Sequence, residues 1–452
     1  MVEMDNLQSK LRDMSTGKRA VFEPQAVTSV EETGLNEVWL QDLVLKVMYY
    51  GGVMRGSAIA EAIHLPFVGV TERIMEMLKR DKMVEVRSAT GSSFGQGNYV
   101  YEITTQGTNR AREALMRSTY AGPAPVTLED YILVIQKQTL GKITLTPRTL
   151  QQAFKGLVFS EMTLSQMGPA IISGSSIFMY GPPGNGKTSA AKAIAQLIQD
   201  EPIYVPHAVY IDGQVVKVYD ELNHVRYEPD QKGTTGRGKT DFLLKNRMDR
   251  RWVKVQRPFV MVGGELILED LDLIYDDTAK FYEAPFQLKA TGGILLIDDF
   301  GRQQVRPRDL LNRWIVPLEN RVDYLTLHNG KKIEIPFDVL VVFSTNLPPK
   351  ELVDEAFLRR LRHKIEIGNP SYEDYRKIFI AMAREKKVHY SDQGLAYLLK
   401  KWYVEKKRPL RATHPRDLCD HILDVAQFYS VEPVMAPELI DRAAASYFVD
   451  LD

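Results

Sequence analysis

The run SSIFMYGPPGNGKTSAAKAIAQLIQ (175–199) constrains this chain more than any other part of it. A strand-length apolar stretch leads into G-x-x-x-x-G-K-T, and an alanine-rich stretch of helical period follows. A strand must therefore turn sharply into a helix here. Glycines at 181, 184 and 186 let the backbone curl until successive N–H groups face one point, and the helix N-terminus adds partial positive charge there. Such a loop cradles phosphate oxygens. The binding segment is Gly181, Pro182, Pro183, Gly184, Asn185, Gly186, Lys187, Thr188 and Ser189. Lys187 is placed to reach β- and γ-phosphates, and Thr188 to offer its hydroxyl to Mg²⁺. A glycine turn that binds nothing is the competing reading, and the strand–loop–helix context argues against it.

A phosphate loop of this kind works with a metal-ordering acid on a neighbouring strand. GGILLIDDF (292–300) runs four apolar residues straight into Asp298 and Asp299. Such a strand is buried on both faces and delivers its acids at the C-terminal edge of a parallel sheet, where ligands bind. Asp298 is expected to hold Mg²⁺ through water and Asp299 to polarise the attacking water. A third strand, VLVVFSTN (339–346), ends at Asn346, which can orient that water or touch the γ-phosphate. The same Ser-Thr-Asn-Leu-Pro is also a good turn. The expected ligands are ATP and Mg²⁺.

At 452 residues the chain has length for two to four domains of roughly 100–200 residues each. Lys plus Arg equals Asp plus Glu, 58 each, so no global field draws it to nucleic acid or anionic lipid. One cysteine, Cys419, excludes an intrachain disulfide and a cysteine-rich zinc site, and fits a reducing cytoplasm. The first twenty residues lack an apolar core of signal-peptide type, and no run approaches 18 apolar residues, so no membrane insertion is expected.

Residues 1–35 read as a flexible leader. Residues 36–120 read as three helices (36–52, 57–66, 69–83), two strands (84–91, 98–107) joined by a Gly/Ser tip, and a last helix (108–118). That order resembles a winged helix-turn-helix domain. Residues 121–150 form linker helices behind a Pro/Gly hinge. Strands and helices alternate over 151–370, and 371–452 is helical only. The fold class is therefore α/β, with a parallel-sheet core, a helical C-terminal lid and an N-terminal winged-helix-like domain.

The motifs resemble those of the AAA+ ATPases over about 150–445. GPPGNGKT (181–188) corresponds to Walker A, ILLIDD (294–299) to Walker B, and Asn346 to the sensor-1 position. EAFLRRLRHKIEI (355–367) resembles the segment that carries the arginine finger, making Arg360 the candidate and Arg359 its alternate. THPRDL (413–418) resembles the sensor-2 motif, making Arg416 the lid residue that leans onto the γ-phosphate. Asp299 departs from the family, which usually has Glu there. APFQLKATGGILLIDDF (284–300) and VDYLTLHNGKKIEIPFDVLVVFSTN (322–346) resemble segments of enhancer-binding activators, magnesium chelatases and MoxR-type chaperones, which share a hairpin before sensor 1.

Asn329-Gly330 predicts a two-residue hairpin turn with positive φ at both positions. Its arms are expected to expose Tyr324 and Leu325 on one side and Lys331 and Lys332 on the other, lining the pore of a ring. Residues 202–260 look like an insertion, with a second hairpin turn at Asp212-Gly213. QKGTTGRGKTDFLLKNRMDRRWVKVQR (231–257) holds nine Lys/Arg against two Asp and reads as a solvated loop, a subunit contact or a polyanion surface.

The resemblance implies a homo-oligomeric ring, a hexamer, with the finger acting across subunits. Two functions follow. One is a motor that remodels a protein partner recruited by the N-terminal domain. The other is a DNA-associated ATPase whose winged helix binds DNA. The near balance of charges over 36–120 favours the first, because DNA binders neutralise phosphates with a basic face.

Overall fold

The computed structural model describes residues 22–89, 96–140, 145–199, 201–228, 248–352 and 359–448. At the N-terminal end, Asn36 accepts a hydrogen bond from Val38 N–H and starts α1 (Glu37–Gly51). There follow β1 (Met54–Arg55), α2 (Gly56–Ala62), α3 (Glu72–Arg80), β2 (Val84–Ala89), β3 (Tyr99–Ile103) and α4 (Thr105–Arg117). The strands pair antiparallel in the order β1-β3-β2. The strand expected over 98–107 stops at Ile103. Thr104 accepts from Gly107 N–H and opens α4 three residues before the expected start, an N-cap overriding the apolar pattern. Of the segment expected as a leader, 1–21 lies outside the described residues. Residues 22–35 pack instead: Val27, Val30 and Leu35 are buried in the same cluster as α1.

The connection contains β4 (Val126–Thr127), α5 (Leu128–Lys137), α6 (Pro147–Ala153) and α7 (Glu161–Ser173). The core then runs β5 (Ser176–Tyr180), α8 (Lys187–Gln199), β6 (Ile203–Pro206), β7 (Ala208–Ile211), β8 (Gln214–Lys217), β9 (Trp252–Val255), β10 (Phe259–Val262), β11 (Ile274–Asp276) and β12 (Phe281–Glu283). It continues with α9 (Phe286–Lys289), β13 (Ile294–Ile297), α10 (Pro307–Asn320), β14 (Val322–Thr326), β15 (Lys332–Pro336), β16 (Leu340–Thr345), α11 (Pro349–Leu352) and β17 (His363–Glu366). The tail is helical: α12 (Tyr372–Lys386), α13 (Asp392–Leu398), α14 (His414–Tyr429) and α15 (Pro437–Tyr447).

Five strands form a parallel sheet in the order β10-β13-β16-β5-β17. Its inner strands β13, β16 and β5 are near-continuously apolar and buried on both faces, while the edge strands β10 and β17 expose Met261, Lys364 and Glu366. On one face Met167, Ile194 and Ile198 from α7 and α8 pack on Ile177 and Leu296. On the other, Leu310, Leu311 and Trp314 from α10 pack on Phe178, Leu295 and Phe343. The expected α/β class, a parallel-sheet core carrying the phosphate-loop motif and followed by a helical C-terminal region, is the observed one.

Strands β6 to β9 contribute nothing to that sheet. β7 and β8 join a second sheet in the order β11-β12-β8-β7-β4, and β6 pairs with β9. The β7–β8 turn has Asp212 at φ 50 and Gly213 at φ 81, the two-residue turn its sequence predicts. Residues 229–247, the larger part of the basic run, lie outside the described residues.

The β14–β15 hairpin forms, but not with the expected turn. Only Gly330 has positive φ, 82, and Leu327 N–H donates to Lys331 O while Gly330 N–H donates to Leu327 O. The loop therefore has three residues, His328, Asn329 and Gly330. A two-residue loop would set Leu325 opposite Glu334. The observed register sets it opposite Ile333, and Leu325, Leu327, Ile333 and Ile335 all bury against the second sheet. Core matching thus outweighs turn preference. Tyr324 is exposed as expected, but Leu325 is not, because neighbours on a strand face opposite sides. Lys331 at the tip is ion-paired with Asp212, and His328 stacks on Tyr275 with ring centroids 5.0 Å apart.

Candidate active site

Register brings the site together. Thr345 lies opposite Tyr180 across β16 and β5, and Ile297 lies opposite Phe343 across β13 and β16. Three strands consequently end at one edge of the sheet, where the residues that follow them meet. Lys187 Nζ donates to Gly181 O at 2.9 Å, Pro182 O at 3.0 Å and Asn346 Oδ1 at 2.7 Å. Thr188 Oγ1 donates to Asp298 Oδ2 at 2.8 Å. Asn346 Nδ2 donates to Asp299 Oδ1 at 2.8 Å. Asp299 N–H donates to Asp298 Oδ1 at 3.1 Å, which joins Lys187, Thr188, Asp298, Asp299 and Asn346 into one hydrogen-bonded group from three strand ends.

The loop is shaped by close backbone approach. Gly181 has φ 140, and a Cβ there would lie 2.2 Å from the O of Ile367, the residue that follows β17. Gly186 also has positive φ, 89, and Lys187 opens α8, so the first N–H groups of that helix have no helical acceptor. Ser189 is exposed on the first turn. Burial pulls the Lys187 ammonium pKa below its ordinary value, against the opposing pull of the Asp298 and Asp299 carboxylates; Arg411 adds to the lowering.

The helical tail reaches the loop directly, and sequence reading did not find how. Arg411 Nη1 donates to Pro183 O at 2.9 Å, Ala412 N–H to Asn185 Oδ1 at 3.0 Å, and Thr413 N–H to Gly184 O at 2.9 Å. Three consecutive residues ahead of α14 therefore clasp three consecutive residues of the phosphate loop. Gly184, at φ 78, leaves room for Thr413, whose Oγ1 would be 3.0 Å from an added Cβ. Arg416, expected at the γ-phosphate, is exposed one turn into α14 and bonds its neighbour Asp417 at 3.0 Å. The structure brings Arg411, not Arg416, to the loop.

A cavity of about 430 Å³ opens beside the loop, lined by Phe159, Tyr180, Asn185, Ile367, Asn369 and Ala412 among others. Asn185 Nδ2 donates to Asn369 Oδ1 at 2.8 Å across its floor. Size, mixed lining and position suit a planar ring attached to a phosphate chain. Its walls come from four separated stretches, so no local motif marks it.

Arg360 stands elsewhere. It precedes β17, whose first residue, His363, pairs with Ile177 near the start of β5. The phosphate loop leaves the other end of that strand. Arg360 Nε donates to Glu319 at 2.7 Å and lines, with Arg321, Arg359 and Arg362, a recess of about 740 Å³. The residues 353–358 ahead of it lie outside the described residues.

A family profile for a domain of unknown function, DUF8689, matches residues 371–446, the helical tail. No curated protein matches the chain. Among solved structures, NtrX from Brucella abortus in complex with ADP aligns over 71% of this chain and 62% of its own at 16% identity, TM-score 0.37. The same protein with ATP aligns over 76% and 65% at 14% identity, TM-score 0.37. The match thus spans just under two thirds of the NtrX chain. The RuvB Holliday junction branch migration motor of Thermotoga maritima aligns over 70% and 74% at 13% identity, TM-score 0.34. The fold assignment rests on the phosphate loop and on the strand order of the sheet around it.

Proposed function

We propose that this chain is a Mg²⁺-dependent ATPase of AAA+ type, acting as a ring motor on a protein partner. The observation that carries the reading is the linked group Lys187–Asn346–Asp299 beside Thr188–Asp298. Lys187 neutralises terminal phosphates, and the loop amides and helix N-terminus bind their oxygens. Asp299 takes a proton-side hydrogen bond from the attacking water, and Asn346 fixes its carboxylate. One hydroxyl and one carboxylate at 2.8 Å fit Mg²⁺, which keeps waters and takes few protein ligands. Bound there, the ion supplies charge neutralisation to the phosphates.

Arg360 supports the ring. β5 separates it from its own phosphate loop by five residues at about 3.3 Å each, so a guanidinium at that edge serves a neighbour's nucleotide. Subunits carrying Arg360→Ala and subunits carrying Lys187→Ala should each be inactive alone and regain roughly a quarter of the parental rate per site when mixed equally, as interfaces with both intact partners form. No recovery at any ratio, with assembly confirmed by mass photometry, rejects the trans arrangement.

The protein-partner reading is favoured by the N-terminal domain. Arg73, on the exposed face of α3, is held by Glu31 at 2.6 Å and Glu37 at 2.7 Å. Arg110 and Arg117 both bind Asp42, and Arg87 binds Glu102. These cations are already matched to carboxylates, which weakens a phosphate-binding face. Filter binding of the full chain to duplex DNA between 50 and 300 mM salt should give no steep dependence. A log–log slope beyond about −4, as several phosphate contacts produce, would make the winged helix a DNA reader instead. The single cysteine, Cys419, buried in the tail, supports a cytoplasmic location. Among the described residues no helix is long and apolar enough to cross a membrane.

A further inference from the structure

Asp299 has a backbone conformation that needs an explanation. Its φ is 48, the left-handed region that L-residues rarely adopt. The chain then turns back on itself: Arg302 N–H donates to Asp299 O at 3.0 Å, and Gly301, with φ 102, occupies the third position of that turn. A Cβ on Gly301 would lie 2.4 Å from Leu352, so the turn is pressed against α11. On the sheet side, Phe300 N–H donates to Ser344 O at 2.7 Å and Thr345 Oγ1 donates to Phe300 O at 2.7 Å. These bonds fix residue 300. They pin the 299–300 and 300–301 peptide planes, which carry that N–H and that C=O, and leave the 298–299 plane, which also sets the Asp299 backbone, without a bond from the sheet.

One side chain closes that gap. Gln303 Nε2 donates to Asp298 O at 3.0 Å, and Gln303 Oε1 accepts from Gly301 N–H at 2.8 Å. A single carboxamide therefore ties the carbonyl ahead of Asp299 to the amide two residues beyond it. Donor and acceptor are both used, so the amide orientation is fixed by its partners. The Asp299 carboxylate, held at its base by this clip, meets Asn346 Nδ2 at 2.8 Å. Gln303 itself has no hydrogen bond to the phosphate loop, to Lys187 or to Thr188.

We propose that Gln303 is a positioning residue for the hydrolytic step: its carboxamide clips Asp298 O to Gly301 N–H and so holds Asp299 in the left-handed conformation that aims its carboxylate at the water site. The proposal rests on the ATPase reading above and assigns a residue outside the Walker and sensor motifs. It predicts a separation of binding from turnover, because the clip touches the catalytic carboxylate's backbone and leaves the phosphate loop alone. It also predicts an asymmetry between substitutions. A glutamate at 303 keeps the oxygen that accepts from Gly301 but, ionised, offers a second acceptor to Asp298 O and cannot donate. Protonated, its O–H replaces the lost donor.

The test uses the full-length chain, with steady-state ATP hydrolysis, binding of a fluorescent ATP analogue and amide hydrogen exchange. Gln303→Ala should lower kcat about tenfold with analogue affinity within about twofold of the parental value, since a misaimed base costs rate and not binding. Exchange at the Gly301 amide should rise. Gln303→Glu should match Gln303→Ala near pH 8, and its kcat relative to the parental protein at the same pH should climb about twofold towards pH 5, as the carboxyl takes up its proton. A merely structural role predicts falling affinity and no pH-dependent recovery, and that pattern overturns the proposal. Parental kcat in Gln303→Ala, in a parental protein that hydrolyses ATP, overturns the clip alone. A parental protein that binds the analogue and never hydrolyses ATP overturns the ATPase reading, and the clip's catalytic role with it.

Discussion

Asp299→Asn should leave ATP binding at the parental level and lower turnover by about 10²- to 10³-fold. The carboxylate and its amide isostere have the same shape, so Asn346 keeps a partner at the position it now holds at 2.8 Å. What is lost is the charge that orients and polarises the attacking water, an electrostatic contribution of this size in comparable sites. Asparagine also tolerates the left-handed backbone found at 299, so the substitution adds little strain. Lys187→Ala should behave differently. It removes the ammonium that now satisfies Gly181 O, Pro182 O and Asn346, and binding is lost along with turnover. Single-turnover hydrolysis and equilibrium binding distinguish the two variants. An Asp299→Asn protein that turns over at the parental rate removes Asp299 from the mechanism.

Arg251→Ala should destabilise the protein by about 3–5 kcal/mol, the cost of leaving a buried carboxylate without its partner. Arg251 and Asp249 are 2% and 4% exposed, and the guanidinium binds both carboxylate oxygens at 2.8–3.1 Å. Its remaining nitrogen donates to Thr33 O at 3.1 Å and Pro125 O at 3.4 Å, and Asp249 N–H donates to Pro24 O at 2.9 Å. One ion pair thereby fastens the chain before α1, the hinge before β4 and the end of the insertion. Thermal and urea unfolding of Arg251→Ala should show the loss, with exchange rising first over 24–33 and 119–127. The double variant Arg251→Met with Asp249→Leu should be less destabilised than Arg251→Ala, because it buries no orphan charge. If Arg251→Ala unfolds within about 1 kcal/mol of the parental protein, the pair is not the fastening described.

Much of the candidate site is legible because its residues are bound to local backbone chemistry. Lys187 and Thr188 must follow a glycine loop between strand and helix, and Asp298, Asp299 and Asn346 must follow strands buried on both faces. Parallel pairing then carries all of them to one edge of the sheet, as the register shows. The residues that escaped sequence reading are those whose role depends on what another part of the chain presents. Arg411 and Thr413 matter because the tail folds over Pro183 and Gly184. Arg416, in a better-looking motif, turns to Asp417. Gln303 looks like an ordinary polar loop residue until Asp298 O and Gly301 N–H are seen on either side of it.

The two hairpins divide the same question most clearly. At Asp212-Gly213 the local preference for positive φ and the pairing of flanking apolar residues agree, and the predicted turn forms. At Asn329-Gly330 they conflict by one residue, and burying Leu325 and Leu327 opposite Ile333 and the core decides the loop length. By itself the sequence determined where strands turn into helices, which strands are buried on both faces, and which charged residues stand at their ends. These follow from steric and hydrogen-bonding preferences that act over a few residues. Only the tertiary structure decided how the tail clasps the phosphate loop, where the cavity beside it opens, and how residues 22–35 and the insertion lock together. Those contacts join residues up to 228 positions apart in the chain, and their geometry exists only once burial of apolar surface elsewhere has brought those segments together.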